Sequence, residues 1–288
     1  MLWISDEWKD YEVLDASNGE RLERWGDYIL VRPDPQVIWN TPHSAKEWKC
    51  YDARYVRSNT GGGHWTDNDL PERWQIKYKD YLTFNVKPMN FKHTGVFPEQ
   101  AANWDFIREK VANAGRPVRV LNLFAYSGGA TLAAAAGGAE VFHVDASKGM
   151  VAWAKENAQA SGLAGCPIHW MVDDCAKFIQ REIRRGRRYD GIIMDPPSYG
   201  RGPSGEIWKM ETSFYPFLQE VVKVLSDDPL FVIINSYTTG LAPSAVAYAS
   251  DVVFGAQYGG KTAAGELGLM VKESGLVLPC GATGRWTP

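Results

Sequence analysis

Cysteine is scarce in this chain and shows no pattern. Cys50, Cys166, Cys175 and Cys280 are the only four in 288 residues, and no two form a Cys-x-x-Cys pair. That argues against a structural zinc site or a disulfide framework, so no metal is expected, and it fits a reducing cytoplasm. Long apolar runs are missing too: nothing approaches the ~20 residues that cross a bilayer as a helix, so no membrane association is expected. The first ten residues, Met1-Leu2-Trp3-Ile4-Ser5-Asp6-Glu7-Trp8-Lys9-Asp10, lack the basic start and apolar core of a signal peptide. Positive charge is not in excess, since the net charge is −3. A protein that grips a long nucleic acid needs Lys and Arg for the phosphates. The one dense basic run, Arg181-Glu182-Ile183-Arg184-Arg185-Gly186-Arg187-Arg188, reads by default as the solvated C-terminal end of a helix stopped by Gly186. Two nucleotide signatures are also absent. Ala125-Tyr126-Ser127-Gly128-Gly129-Ala130 does not have the Gly-x-Gly-x-x-Gly spacing of dinucleotide folds, and no Gly-Lys-Ser/Thr loop follows a strand.

What is present divides the chain in two. The first ninety or so residues look β-rich. Glu20–Trp25 and Tyr28–Arg32 flank Gly26-Asp27 as a hairpin, and Glu47–Arg57, Trp74–Tyr78 and Leu82–Val86 are further strand-like runs. Asn59-Thr60-Gly61-Gly62-Gly63 signals a loop. Seven tryptophans (Trp3, Trp8, Trp25, Trp39, Trp48, Trp65 and Trp74) crowd this region, mostly as efficient core material for a small domain. Trp65, beside the triple glycine, is the one best placed to stack on a base.

From Pro98 onward helix and strand signals alternate. Glu99–Asn113 is a helix, followed by strand Val118–Leu123, helix Ser127–Ala136, strand Glu140–Asp145, helix Lys148–Ser161, strand Ile168–Val172, helix Cys175–Arg185 and strand Tyr189–Met194. Helix Ser213–Leu225, with Pro216 in its first turn, strand Leu230–Asn235 and helix Pro243–Val253 complete the series, and Phe254–Thr262 reads as a connector or a mobile loop. Glu266–Val271 and Leu276–Pro279 suggest a short terminal hairpin. This rhythm specifies an α/β fold: a Rossmann-like, mostly parallel sheet with a C-terminal antiparallel hairpin, carried on residues 94–288 behind a small β-rich domain of residues 1–93.

In such sheets ligands sit beyond the carboxyl ends of the strands, and the informative polar residues all fall there. Ser127-Gly128-Gly129 follows the first strand and lets backbone approach a ligand closely. The helix after it offers free N–H groups to a carboxylate or a phosphate. Asp145 ends the second strand, roughly twenty residues on, where an acid takes ribose hydroxyls. Asp173 and Asp174 end the third, where a carboxylate can accept from an adenine amino group, although either could instead cap the next helix. Asp195-Pro196-Pro197-Ser198-Tyr199 ends the fourth strand. Its carboxylate and carbonyls can hold an amino group, and Tyr199 can stack on the attached ring; a plain turn is the alternative.

As an ordered set, Asn122-Leu123-Phe124-Ala125-Tyr126-Ser127-Gly128-Gly129, Val144-Asp145-Ala146-Ser147-Lys148, Glu156-Asn157-Ala158, Asp174 and Asp195-Pro196-Pro197-Ser198-Tyr199 resemble the class I methyltransferase domain of the large-subunit ribosomal RNA methyltransferase family. The resemblance covers about Thr94 to Leu241. It implies S-adenosyl-L-methionine as cofactor, RNA as partner, and a cofactor site drawn from Phe97, Gln100, Asn122, Phe124, Ala125, Tyr126, Ser127, Gly128, Asp145, Ala146, Ser147, Asp173, Asp174, Cys175 and Asp195. Asp195, Pro196, Pro197 and Tyr199 would be catalytic. Thr94-Gly95-Val96-Phe97-Pro98-Glu99-Gln100 is similar to the family's Thr-Gly, aromatic, Asp-Gln-Arg segment but has Ala101 in place of the Arg. The β-rich part would serve substrate recognition.

Members that methylate cytosine carbon-5 add a Cys thiolate to the ring. By resemblance that Cys would follow the fifth strand, where this chain has Asn235-Ser236-Tyr237-Thr238-Thr239. Tyr237 stands in its place, so the expected acceptor is nitrogen or oxygen. The leading expectation is methylation of a base nitrogen in RNA. The alternatives are a protein or small-molecule methyltransferase, and a non-catalytic RNA-binding protein with this fold. Oligomeric state leaves no trace in the sequence.

Overall fold

A computed structural model describes residues 1–43, 45–58, 62–67, 69–201 and 207–288. Asn59, Thr60 and Gly61 of the expected loop lie outside the described residues. The chain forms two compact units. One comprises Met1–Trp3, Ala102–Leu267 and Gly281–Pro288; the other comprises Ile4–Ala101 and Gly268–Cys280.

After a short first strand, β1 (Leu2–Ile4), the β-rich unit contains β2 (Tyr11–Ser17), β3 (Glu20–Trp25), β4 (Tyr28–Pro33), β5 (Ala53–Arg57) and β6 (Gly63–Thr66), which form a sheet in that order, and the hairpin β7 (Trp74–Tyr78) and β8 (Leu82–Val86). The expected Glu47–Arg57 run is not one strand: Lys46–Lys49 is a 3-10 turn and only Ala53–Arg57 is extended. Strand β2 was hidden from pattern reading by a bulge between Val13 and Asp15, which breaks its alternation. The tryptophans serve the core. Trp25 is fully buried, and the indole N–H groups of Trp8, Trp39, Trp48, Trp65 and Trp74 all donate to acceptors inside the unit. Trp65 packs edge-on against Tyr55 and donates to the Met89 carbonyl at 2.8 Å.

The other unit carries the alternating elements. They are α1 (Ala101–Ala112), β9 (Arg119–Leu123), α2 (Gly129–Ala136), β10 (Glu140–Asp145), α3 (Lys148–Ala160), β11 (Ile168–Val172), α4 (Cys175–Arg185) and β12 (Gly191–Met194). A small antiparallel hairpin, β13 (Tyr199–Arg201) and β14 (Ile207–Lys209), follows, then α5 (Met210–Val221), β15 (Phe231–Ser236), α6 (Pro243–Ser250), α7 (Ala256–Tyr258), β16 (Lys261–Met270) and β17 (Val277–Thr287). The eight-stranded sheet runs β1-β16-β17-β15-β12-β9-β10-β11. Strands β11, β10, β9, β12 and β15 are parallel neighbours, and β17 lies antiparallel to β15. Side chains alternate across the sheet. Leu121, Leu123, Val144 and Met194 join one core with α4 and α5; Val120, Val141 and Ile193 join another with α1 and α2. Burial on both faces explains why these strands read as continuous apolar runs.

Helix α5 starts at Met210, so Pro216 lies inside it rather than in its first turn. Strands β16 and β17 are about twice as long as the expected hairpin arms. The stretch from Phe254 is neither a connector nor a loop. Asp251–Gly255 is a π turn, Phe254 is fully buried, and Trp286 donates to the Gly259 carbonyl at 3.2 Å.

Candidate active site

Strand order reverses at β9. From it the chain moves through β10 to β11 on one side, and through β12 to β15 on the other. Leu123 at the end of β9 pairs with Val144 of β10 and Met194 of β12. The residues that follow, Phe124, Asp145 and Asp195, therefore emerge side by side at the carboxyl edge, where a crevice opens at such a switch point. Asp173 and Asp174 leave the adjoining β11. The first four predicted site segments are thus brought to one edge by sheet topology alone.

The turn after β9 is held in an uncommon conformation. Phe124 and Tyr126 have φ of 54° and 51°, in the left-handed region that costs an L-residue roughly 1 kcal/mol or more. Hydrogen bonds fix it there. The Asp145 carboxylate accepts the Tyr126 N–H on one oxygen and the Ser147 N–H on the other, both at 2.8 Å. Burial nevertheless raises the Asp145 pKa above the ordinary carboxylate value, against the two N–H bonds. The Phe124 N–H donates to Cys175 Sγ at 3.3 Å, and that thiol donates onward to the Val144 carbonyl. Cys175 is buried, and burial pushes its pKa far up, so it is a neutral strut and not a nucleophile.

The glycines of this turn also serve packing. A Cβ on Gly128 would meet Ala154 Cβ at 3.0 Å, and one on Gly129 would meet the Trp104 ring at 2.5 Å. Their smallness lets α2 and α3 and the Trp104 ring close in beneath the turn. Below it lies a polar chain missed by sequence reading. Asn122 Nδ2 donates to Thr131 Oγ1 at 2.9 Å, and Thr131 Oγ1 lies 2.9 Å from His143 Nδ1. The Thr131 hydroxyl thus links Asn122 to the imidazole, whose other nitrogen is Nε2. That atom is buried with no partner among the described residues. Burial lowers the His143 pKa to about 3, so the ring is neutral. Asn157 Nδ2 braces the turn from α3 by donating to the Ser127 carbonyl at 2.9 Å. A histidine in the middle of an apolar strand and a threonine in an alanine helix were the available signals.

Other predicted residues divide by role. Asp174 caps α4 by accepting the Lys177 N–H at 2.9 Å, and Asp173 pairs with Arg181. Ser147 caps α3, and Ala146 is exposed. Ala125 is buried, and its N–H donates to Val144 O. Phe97 and Gln100 belong to the β-rich unit, where Phe97 rests at a tilt on His93 and Gln100 is buried in the turn Pro98–Gln100. At the fourth strand end, Pro196 is buried, while Pro197 and Tyr199 are exposed. Trp208, also missed, donates its indole N–H to the Pro197 carbonyl at 2.6 Å and packs at 5.6 Å on Phe124 and 5.5 Å on Phe217. The Pro196 carbonyl has no partner among the described residues. In the arginine run Arg185 and Arg187 both pair with Glu182, while Arg184 and Arg188 are exposed. Among the described residues there is no group of three or more potential metal ligands, and no helix is long and apolar enough to cross a membrane.

Comparison with known proteins follows this geometry. The model of a family described as S-adenosylmethionine-dependent methyltransferase matches residues 39–226. The crystal structure of the SAM-dependent methyltransferase from Agrobacterium tumefaciens superposes with a TM-score of 0.93 at 38% identity, covering 100% of this chain and 93% of that one. Among curated relatives, Ribosomal RNA large subunit methyltransferase K/L of Shewanella frigidimarina is 30% identical over 58% of this chain, and that of Pseudoalteromonas atlantica is 31% identical over 77%. The chain spans only 22% and 34% of those two relatives' own lengths.

Proposed function

The chain belongs to the S-adenosylmethionine-dependent methyltransferase family, and from that premise we propose that it methylates a base nitrogen of RNA, with a ribosomal RNA-like substrate. The observation that carries this reading is the pair of turns on neighbouring strands, Phe124–Gly129 after β9 and Asp195–Tyr199 after β12. The donor set fits the cofactor. The Asp145 carboxylate suits ribose hydroxyls, Asp173 or Asp174 suits the adenine amino group, and the N–H groups opening α2 suit the methionine carboxylate. Asn122 and Cys175 brace the turn from beneath. The β-rich unit, which carries Phe97 and Gln100, we assign to substrate recognition.

S-adenosylmethionine, when bound, supplies an activated methyl group on a sulfonium. The protein's part is to place an acceptor lone pair and exclude water. Asp195 and the Pro196 carbonyl accept N–H groups of the base, drawing its nitrogen toward the cofactor side. Tyr199, 52% exposed, offers its ring for stacking. Pro196 and Pro197 stiffen the turn. No thiol is set for attack on carbon. Cys175 is a buried strut, Cys166 lies before β11 at its amino end, and burial raises the Cys280 thiol well above its ordinary pKa. A protein or small-molecule acceptor is the second reading, favoured by the internal pairing of Arg181, Arg185 and Arg187.

The test has two stages. Calorimetry should show S-adenosylmethionine binding to the intact chain and a loss of at least tenfold, about 1.4 kcal/mol, for Asp145→Ala. Transfer of labelled methyl to unmodified ribosomal RNA, followed by nucleoside mass spectrometry, should then give an N-methylated base that Asp195→Ala abolishes. Label in 5-methylcytidine, or in protein alone, would refute the RNA-nitrogen reading.

A further inference from the structure

Trp208 lies beyond the predicted site residues, on the strand that returns from the small hairpin. It stands opposite Gly200 in the β13–β14 pairing, so its backbone is tied to the end of the Asp195–Tyr199 segment. Its ring is wedged between Phe124 (5.6 Å) and Phe217 (5.5 Å), while Phe124 and Phe217 also face each other at 5.8 Å. Its Nε1–H reaches back 2.6 Å to the Pro197 carbonyl. One side chain therefore touches both turns, by a ring face on the β9 turn and by a hydrogen bond on the β12 turn. Phe124 is the residue through which a ligand at the β9 turn would be felt. Its backbone is pinned by Cys175 and by a left-handed φ of 54°, so adjustment there falls to its side chain. On the other side, Ser198 is held by the Met210 N–H at its carbonyl and by the Thr238 hydroxyl at its Oγ. A shift of the indole would thus pass to a segment with few other freedoms.

We propose that Trp208 is a positioning residue that couples occupancy of the Phe124–Gly129 turn to the geometry of the Asp195–Tyr199 turn. The inference rests on the cofactor lying at the β9 turn but is independent of what is methylated.

Hydrogen exchange of the full chain, with and without S-adenosylhomocysteine, tests it beside calorimetry. In the native protein, ligand should slow exchange in residues 198–201 and 207–210. Trp208→Phe keeps a ring on Phe124 but has no N–H, so it should bind within about threefold of the native affinity yet lose the ligand-induced slowing. Trp208→Leu loses the ring contact too and should bind about tenfold more weakly. Undiminished slowing in Trp208→Phe, or equal loss of affinity in both variants, would overturn the coupling and leave Trp208 a packing residue. Binding of S-adenosylhomocysteine unaffected by Asp145→Ala would instead overturn the cofactor placement itself.

Discussion

Lowering the pH should unfold the sheet-bearing unit through one group, His143. The ring is fully buried under the glycine turn, with Nδ1 2.9 Å from the Thr131 hydroxyl. Protonation would place a charge in an apolar surround. Burial lowers the pKa from 6.5 to about 3. A base whose folded pKa is depressed binds its proton more readily in the unfolded chain. Its contribution is therefore constant above pH ~6.5 and is lost as the pH falls through the window down to ~3. The full loss is about 5 kcal/mol, and about 2 kcal/mol is gone by pH 5, at 1.36 kcal/mol per tenfold. That is a large part of a typical domain's ~5–15 kcal/mol. Urea unfolding at pH 7.5, 6 and 5 should show it, with His143→Asn as the control, because an Asn carbonyl can still accept from Thr131. His93, in the β-rich unit, is likewise lowered to about 3 by burial and by the nearby Arg32, but it titrates in both proteins and cancels in the comparison. The reasoning fails if His143→Asn keeps the native slope of stability between pH 6 and 5.

Three further substitutions, at two positions, probe the turn. Cys175→Ser should retain S-adenosylmethionine affinity in calorimetry, because a hydroxyl can accept the Phe124 N–H and donate to Val144, whereas Cys175→Ala should lower the melting temperature through a buried donor left unpaired, at ~1–3 kcal/mol. Gly128→Ala forces a Cβ to within 3.0 Å of Ala154 at a φ of 92° and should cost at least ~1 kcal/mol in denaturant unfolding and weaken cofactor binding with it.

The parallel strands and the edge that carries the candidate site were legible because each strand is a mostly apolar run that ends in a polar turn. Topology then brings Phe124, Asp145 and Asp195 together. What sequence could not supply was the partner of each acid. Asp173 and Asp174 were equivalent on paper, and only coordinates separate the cap at Asp174 from the ion pair at Asp173. The last two strands run past the expected arms through Gly265, Gly281 and Gly284, which are close-approach positions: a Cβ at Gly265 would strike the Met1 carbonyl, one at Gly281 the Tyr237 ring, and one at Gly284 would press on Val246. Trp208 had no signal at all, since its role depends on a hairpin folding back over Phe124.

The order of the sheet also sets how it can be assembled. Strands β9, β10 and β11 follow one another in sequence with a helix between each pair and are sheet neighbours, whereas β12 pairs back with β9 across both of the intervening strands. The other half is closed by the chain's extremities, with β17 entering between β15 and β16, and β1 taking the edge beside β16. Of these, the β1–β16 pairing joins the two ends of the described chain and carries the largest loop-closure cost. The strands β9, β10 and β11 rest on local pairings, and the costliest closure falls at the seam where first and last strands meet.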